Sequence, residues 1–181
     1  MELITARLRI DALRPDDAAA LFACRADPAV ARYQGWRPAD VAEARVFIDR
    51  QPSDATPRGW FQRAIRLRED GRLIGDLGVN LPENAGESVE FGISIAPAHQ
   101  GRGYASEAVR IVFDQVFGPW GRHRVHASVD PRNQACIALL YTLGMRQEAH
   151  HRESLWLHGA WVDDVVFAML AREWQAVRSK R

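Results

Sequence analysis

The stretch His99-Gln100-Gly101-Arg102-Gly103-Tyr104-Ala105 limits what this chain can fold into more than any other. An apolar run, Val89 to Ala96, stops in front of it at Pro97, and a helical pattern begins at about Tyr104. A glycine turn between a strand and a helix presents bare backbone N–H groups at the positive end of the helix dipole. Such a turn is a seat for phosphate. Gly101 and Gly103 carry no Cβ to block the approach and can adopt positive φ.

Composition removes several function classes. The formal net charge of +1 gives no global field for DNA or an anionic membrane. The arginines are scattered among acids, so no basic stripe marks a nucleic-acid site. No stretch approaches the ~20 apolar residues of a membrane span, and the N-terminus has no secretory pattern. Cys24 and Cys136 are far apart and without metal-ligand spacing. The expectation is a reduced, cytoplasmic protein without metal, forming a single domain over residues 1–181.

Periodicity supplies the elements. Leu8 to Leu13 alternates as a strand, and Asp16 and Asp17 precede a helix over Ala18 to Cys24. Asp27-Pro28 is a break, Arg32 to Trp36 a loop, Val41 to Arg50 a second helix, and Gln51 to Gly59 a loop. Trp60–Arg68 and Leu73–Leu81 form a hairpin around Glu69-Asp70-Gly71-Arg72. Pro82 to Gly86 is a turn and Ser88 to Ala96 a strand. After the glycine turn, Ala105, Ala108, Val109, Val112, Phe113, Val116 and Phe117 share one helix face, which ends at Gly118-Pro119. Arg124 to Asp130 is a strand reached by a right-handed parallel crossover. Asn133 caps a short helix, Gln134 to Leu143, and Gly144 stops it. Segments near Ser154–Leu157 and Val162–Leu170 flank His158-Gly159 as a last hairpin.

Gln100-Gly101-Arg102-Gly103-Tyr104-Ala105 fits the Gln/Arg-x-x-Gly-x-Gly/Ala signature of the GNAT acyltransferase superfamily. Three further blocks resemble its RimJ/RimL-type N-acetyltransferase branch. They are Thr5-Ala6-Arg7-Leu8-Arg9-Ile10 with Leu13-Arg14-Pro15-Asp16-Asp17, then Asp130-Pro131-Arg132-Asn133, then Gly159-Ala160-Trp161-Val162-Asp163-Asp164. The resemblance implies an α/β (α+β) fold: one mixed, mostly antiparallel sheet of about seven strands, splayed at its centre and flanked by about four helices. It implies acetyl-coenzyme A as co-substrate, with the pantetheine arm lying in the splay as a surrogate strand. The arm would satisfy backbone groups that diverging strands leave unpaired. The cofactor residues so implied are Ile93, Ser94 and Ile95, largely through backbone, with Gln100, Gly101, Arg102, Gly103, Tyr104, Ala105 and Asn133.

Acyl transfer from a thioester to an amine needs a base, an oxyanion donor and a proton for the leaving thiolate. The resemblance makes Glu90 the base; the alternative is a solvent-facing or arginine-paired glutamate. The tyrosine common in the superfamily is replaced by Leu140, and Tyr141 is rotated ~100° away from that direction. Cys136 occupies the serine position of the branch, as acid candidate or as a small core residue. Tyr33, Trp36, Trp60 and Phe61 are candidates for the acceptor wall, with Trp161 and Asp163 closing it; each aromatic could equally be core. His150 and His151, adjacent on a strand, face opposite ways and make no joint metal site. The expected acceptor is a primary amine, on a protein N-terminus or a small molecule, attacked directly in a ternary complex. Two alternatives remain: a succinyl donor, whose carboxylate Arg32, Arg63 or Arg152 would meet, and a non-catalytic acyl-coenzyme A-binding module. The aromatic late hairpin, with Trp156, Trp161 and Phe167, also allows a homodimer.

Overall fold

The computed structural model describes residues 1–52, 58–84 and 88–179. Parts of two expected loops, Gln51–Gly59 and Pro82–Gly86, and the lone lysine, Lys180, lie outside the described residues. One eight-stranded sheet runs through the molecule in the order β1-β2-β3-β4-β5-β6-β8-β7. Its strands are β1 (Leu3–Ile4), β2 (Leu8–Ala12), β3 (Gly59–Leu67), β4 (Leu73–Leu81), β5 (Val89–Ile95), β6 (Arg124–Val129), β7 (Arg146–Leu157) and β8 (Ala160–Leu170). All neighbours are antiparallel except β5 and β6. The helices are α1 (Ala18–Ala26), α2 (Pro28–Ala31), α3 (Val41–Asp49), α4 (Tyr104–Phe117), α5 (Gln134–Leu143) and α6 (Ala171–Arg178).

The sheet has the mixed, mostly antiparallel character expected, with one more strand and two more helices. The short β1 and α2 carry little periodic signal. Asp27, at the expected break, instead caps α2 by accepting the Ala29 N–H at 2.8 Å. The late hairpin is much longer than Ser154–Leu157 suggested, because β7 is an exposed edge strand with no buried alternation to mark it. C-terminal α6 was not anticipated. It offers the core mainly Trp174, whose ring packs edge-on against Phe113 at 5.4 Å and whose Nε1–H donates to Asp114 at 2.9 Å.

Period-two alternation sorts the sheet into two faces. One carries Phe61, Ile65, Leu77, Val79, Phe91, Val125 and Phe167, packed against α4 residues Val109, Val112, Phe113 and Val116. Phe91 meets Phe113 edge-on at 5.2 Å. Phe167 belongs to this core, whereas Trp156 and Trp161 meet edge to face at 5.3 Å on the exposed surface. The opposite face holds α1 to α3 and is more polar. There Arg25 of α1 reaches Asp76 of β4 through two hydrogen bonds, Nε to Oδ1 at 2.9 Å and Nη2 to Oδ2 at 2.5 Å. Among the described residues no helix is long and apolar enough to cross a membrane.

Candidate active site

The parallel ladder between β5 and β6 is very short. Val89 pairs with Val125 and Glu90 with His126, and there it stops. Beyond Glu90 the strands separate. The remaining length of β5 meets β4 on one side only, and the end of β6 meets only β8. A cleft of about 630 Å³ occupies the gap. Its sides are Phe91 to Ile95 of β5, Ala127 to Val129 of β6, the first turn of α4 and the inner face of α5. Ser94 is buried there with its Oγ unpartnered, as is expected of a group that a ligand satisfies.

The glycine turn closes the wide end of this cleft. Gly101 and Gly103 take φ of +72° and +79°, a conformation that a Cβ would strain. A Cβ on Gly101 would meet nothing within 4 Å, so the space over the turn is open. Gln100 Nε2 donates to Ile95 O at 2.8 Å and pins the turn to the end of β5. The first bond across the helix cap runs from Glu107 N–H to Gly103 O at 3.0 Å. Before it, the N–H groups of residues 101–106 have no acceptor among the described residues. That row of amides at the start of a fourteen-residue helix is an anion seat.

A carboxylate in the same first turn would oppose an anion, yet Glu107 is already neutralised. It accepts from Thr5 Oγ1 at 2.5 Å, the Arg7 amide at 3.0 Å and Arg7 Nε at 2.7 Å. Burial works against its charge, but these bonds hold its carboxyl below the usual range. Arg7 Nη1 also donates to Arg102 O at 3.0 Å, and its guanidinium lies over the Tyr104 ring at 4.6 Å. The N-terminal segment therefore straps the glycine turn in place. Arg102 itself is exposed and does not line the cleft; its carbonyl receives this bond.

At the narrow end stands Glu90, half-buried at the last rung of the ladder, with His126 Nε2 3.8 Å from its Oε2. Glu90 does not line the cleft wall; it sits at the vertex where the wall begins. Asn133 lines the cleft while its side chain caps α5, accepting the Cys136 N–H at 3.1 Å. Cys136 lines it too, and burial pushes its thiol up to about 11. Leu140 is buried, whereas Tyr141 points outward and stacks edge-on against Phe167 at 5.1 Å, away from the cleft.

The acceptor-wall candidates disperse. Tyr33 reaches the cleft, joined by Ala29, Val30 and Gln34, which the sequence had not singled out. Trp36 stacks on Phe47 at 4.2 Å beneath that loop. Phe61 is core on the α4 face. Trp60 is exposed, and neither it nor Trp161 nor Asp163 lines the cleft. Asp163 is held below the usual carboxylate range by the Glu153 amide at 2.9 Å and by His150 at 2.7 Å. Of the arginines weighed for a succinyl group, Arg63 is buried beside Phe61, and no Arg or Lys lines the cleft among the described residues. Among them, no cluster of three or more His, Cys, Asp or Glu is arranged for a metal. His126 was missed because only the register of β6 against β5 brings it opposite Glu90.

A sheet split open at a short parallel ladder, with a row of open backbone amides at one end and a carboxylate at the other, is the arrangement that the resemblance to acyl-transfer enzymes implies. The acetyltransferase (GNAT) domain matches residues 7–146, and this chain belongs to that family and is an N-acetyltransferase. It is 32% identical over 174 residues to the N-acetyltransferase p20 of Bacillus licheniformis, covering 95% of this chain and 97% of the relative. It is 26% identical over 162 residues to the [ribosomal protein uS5]-alanine N-acetyltransferase of Escherichia coli (strain K12), covering 77% and 84%. The structure of Mycobacterium smegmatis RimJ in complex with CoA-disulfide superposes with a TM-score of 0.79 at 23% identity, covering 94% of this chain and 89% of that one.

Proposed function

We propose that this chain transfers acetyl from acetyl-coenzyme A to a primary amine by direct attack, with Glu90 receiving the amine proton. The single observation that carries the reading is the end of the β5–β6 ladder at Glu90 and His126. It creates one continuous gap from the amides at 101–106 to a carboxylate. The diphosphate rests on those amides, oriented by the turn that Gln100 pins. The pantetheine arm lies along Ile93, Ser94 and Ile95 and takes up the backbone groups the splay leaves open. Asn133 and Cys136 touch the arm from α5. The thioester carbonyl then lies at the vertex beside Glu90.

The amine nitrogen bonds to the carbonyl carbon, the C–S bond breaks, and coenzyme A leaves as thiolate. The amine proton passes to Glu90, through a water where the two are out of contact, and the thiolate takes a proton from solvent. Cys136 supplies packing in this scheme rather than a proton. A thiol at about 11 is a weaker acid than the thiol it would have to create. The lack of Arg or Lys in the cleft lining among the described residues favours acetyl over succinyl as the group carried there. The acceptor enters on the face of α1 to α3, past Tyr33. The E. coli relative is named as an N-acetyltransferase of alanine in ribosomal protein uS5, which supports a primary amine of a protein or a small molecule as acceptor.

Release of free thiol from acetyl-coenzyme A over a broad amine panel tests this. Glu90→Gln should lower kcat by ~10²-fold or more, the scale of a lost general base, while the Kd for coenzyme A stays unchanged. An unaltered kcat removes Glu90 from the chemistry.

A further inference from the structure

A second cavity of about 280 Å³ adjoins the cleft, and Tyr33 lines both. Its other walls are Arg32 after α2, Arg132 in the β6–α5 connection, and Leu157, His158, Ala160 and Val162 around the β7–β8 turn. Two hydrogen bonds between distant segments hold these walls together. Tyr33 Oη donates to Arg132 O at 3.1 Å, and the His158 ring donates from Nε2 to Ala31 O at 3.1 Å. His158 and Gly159 both take positive φ, +51° and +82°, as the two central residues of the tight β7–β8 turn that brings the ring to α2.

The lining of this cavity is rich in hydrogen-bond donors, and Asp130 beside it feels both Arg132 and Arg32. Arg32, Arg132 and His158 line it, and no carboxylate does among the described residues. Arg132 is paired with Asp130, at 2.5 Å, behind the wall. Arg32 has no ion pair among the described residues and lies over the Tyr33 ring, its carbon centre 5.1 Å from the ring centroid. A guanidinium stacked on an aromatic face keeps its in-plane N–H groups free for an oxyanion.

We propose that this cavity is a carboxylate subsite of the transfer reaction, in which Arg32 binds a carboxylate carried by one of the two substrates. The acceptor is its natural source, because the cavity is walled by the segment after α2 and by the β7–β8 turn and shares no lining residue with the glycine turn. The amine so selected is zwitterionic: an amino acid, a peptide with a nearby acidic group, or an amino acid-like metabolite. The inference rests on the acetyl-transfer reading above for its reaction and on cavity chemistry for its ligand.

Three arms of one experiment decide it. With acetyl-coenzyme A, kcat/KM is measured for a series of ω-amino carboxylic acids of rising chain length and for their amides. The acids should exceed their amides by about tenfold at the best-fitting length, the scale of one charged hydrogen bond. Arg32→Gln should abolish that preference, bringing the ratio of acid to amide to about one whatever happens to the absolute rates. In the second arm, succinyl- and acetyl-coenzyme A are compared on a neutral amine; a succinyl preference lost in Arg32→Gln assigns the same subsite to the donor. In the third, acetate is titrated into protein saturated with coenzyme A and followed by amide NMR shifts. Saturable shifts at Arg32, Tyr33 and His158–Val162, absent in Arg32→Gln, show binding independently of turnover. If no amine reacts while these shifts appear, the transfer reading fails and the subsite stands. If the shifts are absent and neither substrate shows a carboxylate preference, the subsite is refuted.

Discussion

Asp76→Ala should be among the most destabilising substitutions this chain can suffer. Asp76 is 0% exposed and Arg25 6%, and two hydrogen bonds join their side chains across the α1–β4 contact. Burial works against the Arg25 charge, but Asp76 more than offsets it and raises the guanidinium above its ordinary pKa. Removing the carboxylate leaves a buried cation unpaired, which costs about 3–5 kcal/mol. For a domain of this size each kcal/mol lowers Tm by about 2–4 °C, so a drop of ~6–20 °C is expected. Arg25 also donates to Gln34, a cleft residue, at 2.9 Å and lies over the Trp36 ring at 5.8 Å. The loop proposed for the acceptor side thus hangs on the same guanidinium, and the acceptor KM should rise with the loss of stability. Urea unfolding measures the cost, and the Arg25→Met/Asp76→Leu double variant is the control. Replacing both charges with apolar groups should recover most of the loss, since the penalty comes from the orphaned charge rather than from the missing bond. A single variant within ~1 kcal/mol of the parent, or a double variant no better than the single, refutes this reasoning.

Gly101→Ala should cost only ~1–2 kcal/mol of stability, from its positive φ, because its Cβ meets no protein atom. The rise in KM for acetyl-coenzyme A should be much larger than that strain accounts for, as steady-state kinetics beside urea unfolding will show. Cys136→Ala should lower kcat by far less than the ~10²-fold of a lost general acid, and the thiol, pushed up to about 11, should resist iodoacetamide at neutral pH. The hydrogen bonds from Arg132 hold the Asp130 carboxyl below the usual range. Its folded pKa is thus depressed, so its contribution to stability is complete above about pH 5 and fades as pH falls through the lowered value. The stability difference between the parent and Asp130→Asn should shrink over that acidic range in urea titrations.

Much of the frame was legible in the sequence because local rules wrote it. Leu73–Leu81 and Gln134–Leu143 were placed to the residue, one as the return strand after a Gly-containing hairpin turn and the other by an Asn cap and a Gly stop. The backbone of the glycine turn was legible for the same reason. Gly101 and Gly103 have few uses other than positive φ, and a helix start exposes its amides whatever surrounds it. The acceptor side was not legible. Aromatic side chains serve core and pocket alike, and Phe61, Trp36, Trp60 and Trp161 went in separate directions once the faces of β3, α3 and β8 were set.

What the chain encodes by itself is therefore the order of its elements, the glycine turn with its open amides and a carboxylate on the strand before it. These depend on near neighbours, through backbone dihedrals, caps and side-chain period. Only the tertiary structure decided that the β5–β6 ladder ends at Glu90 and His126, that Thr5 and Arg7 neutralise Glu107 across a hundred residues, and that Arg32, Arg132 and His158 share one cavity. Those facts are registers and charge balances between distant segments, and such relations are fixed when the sheet assembles and its faces are covered.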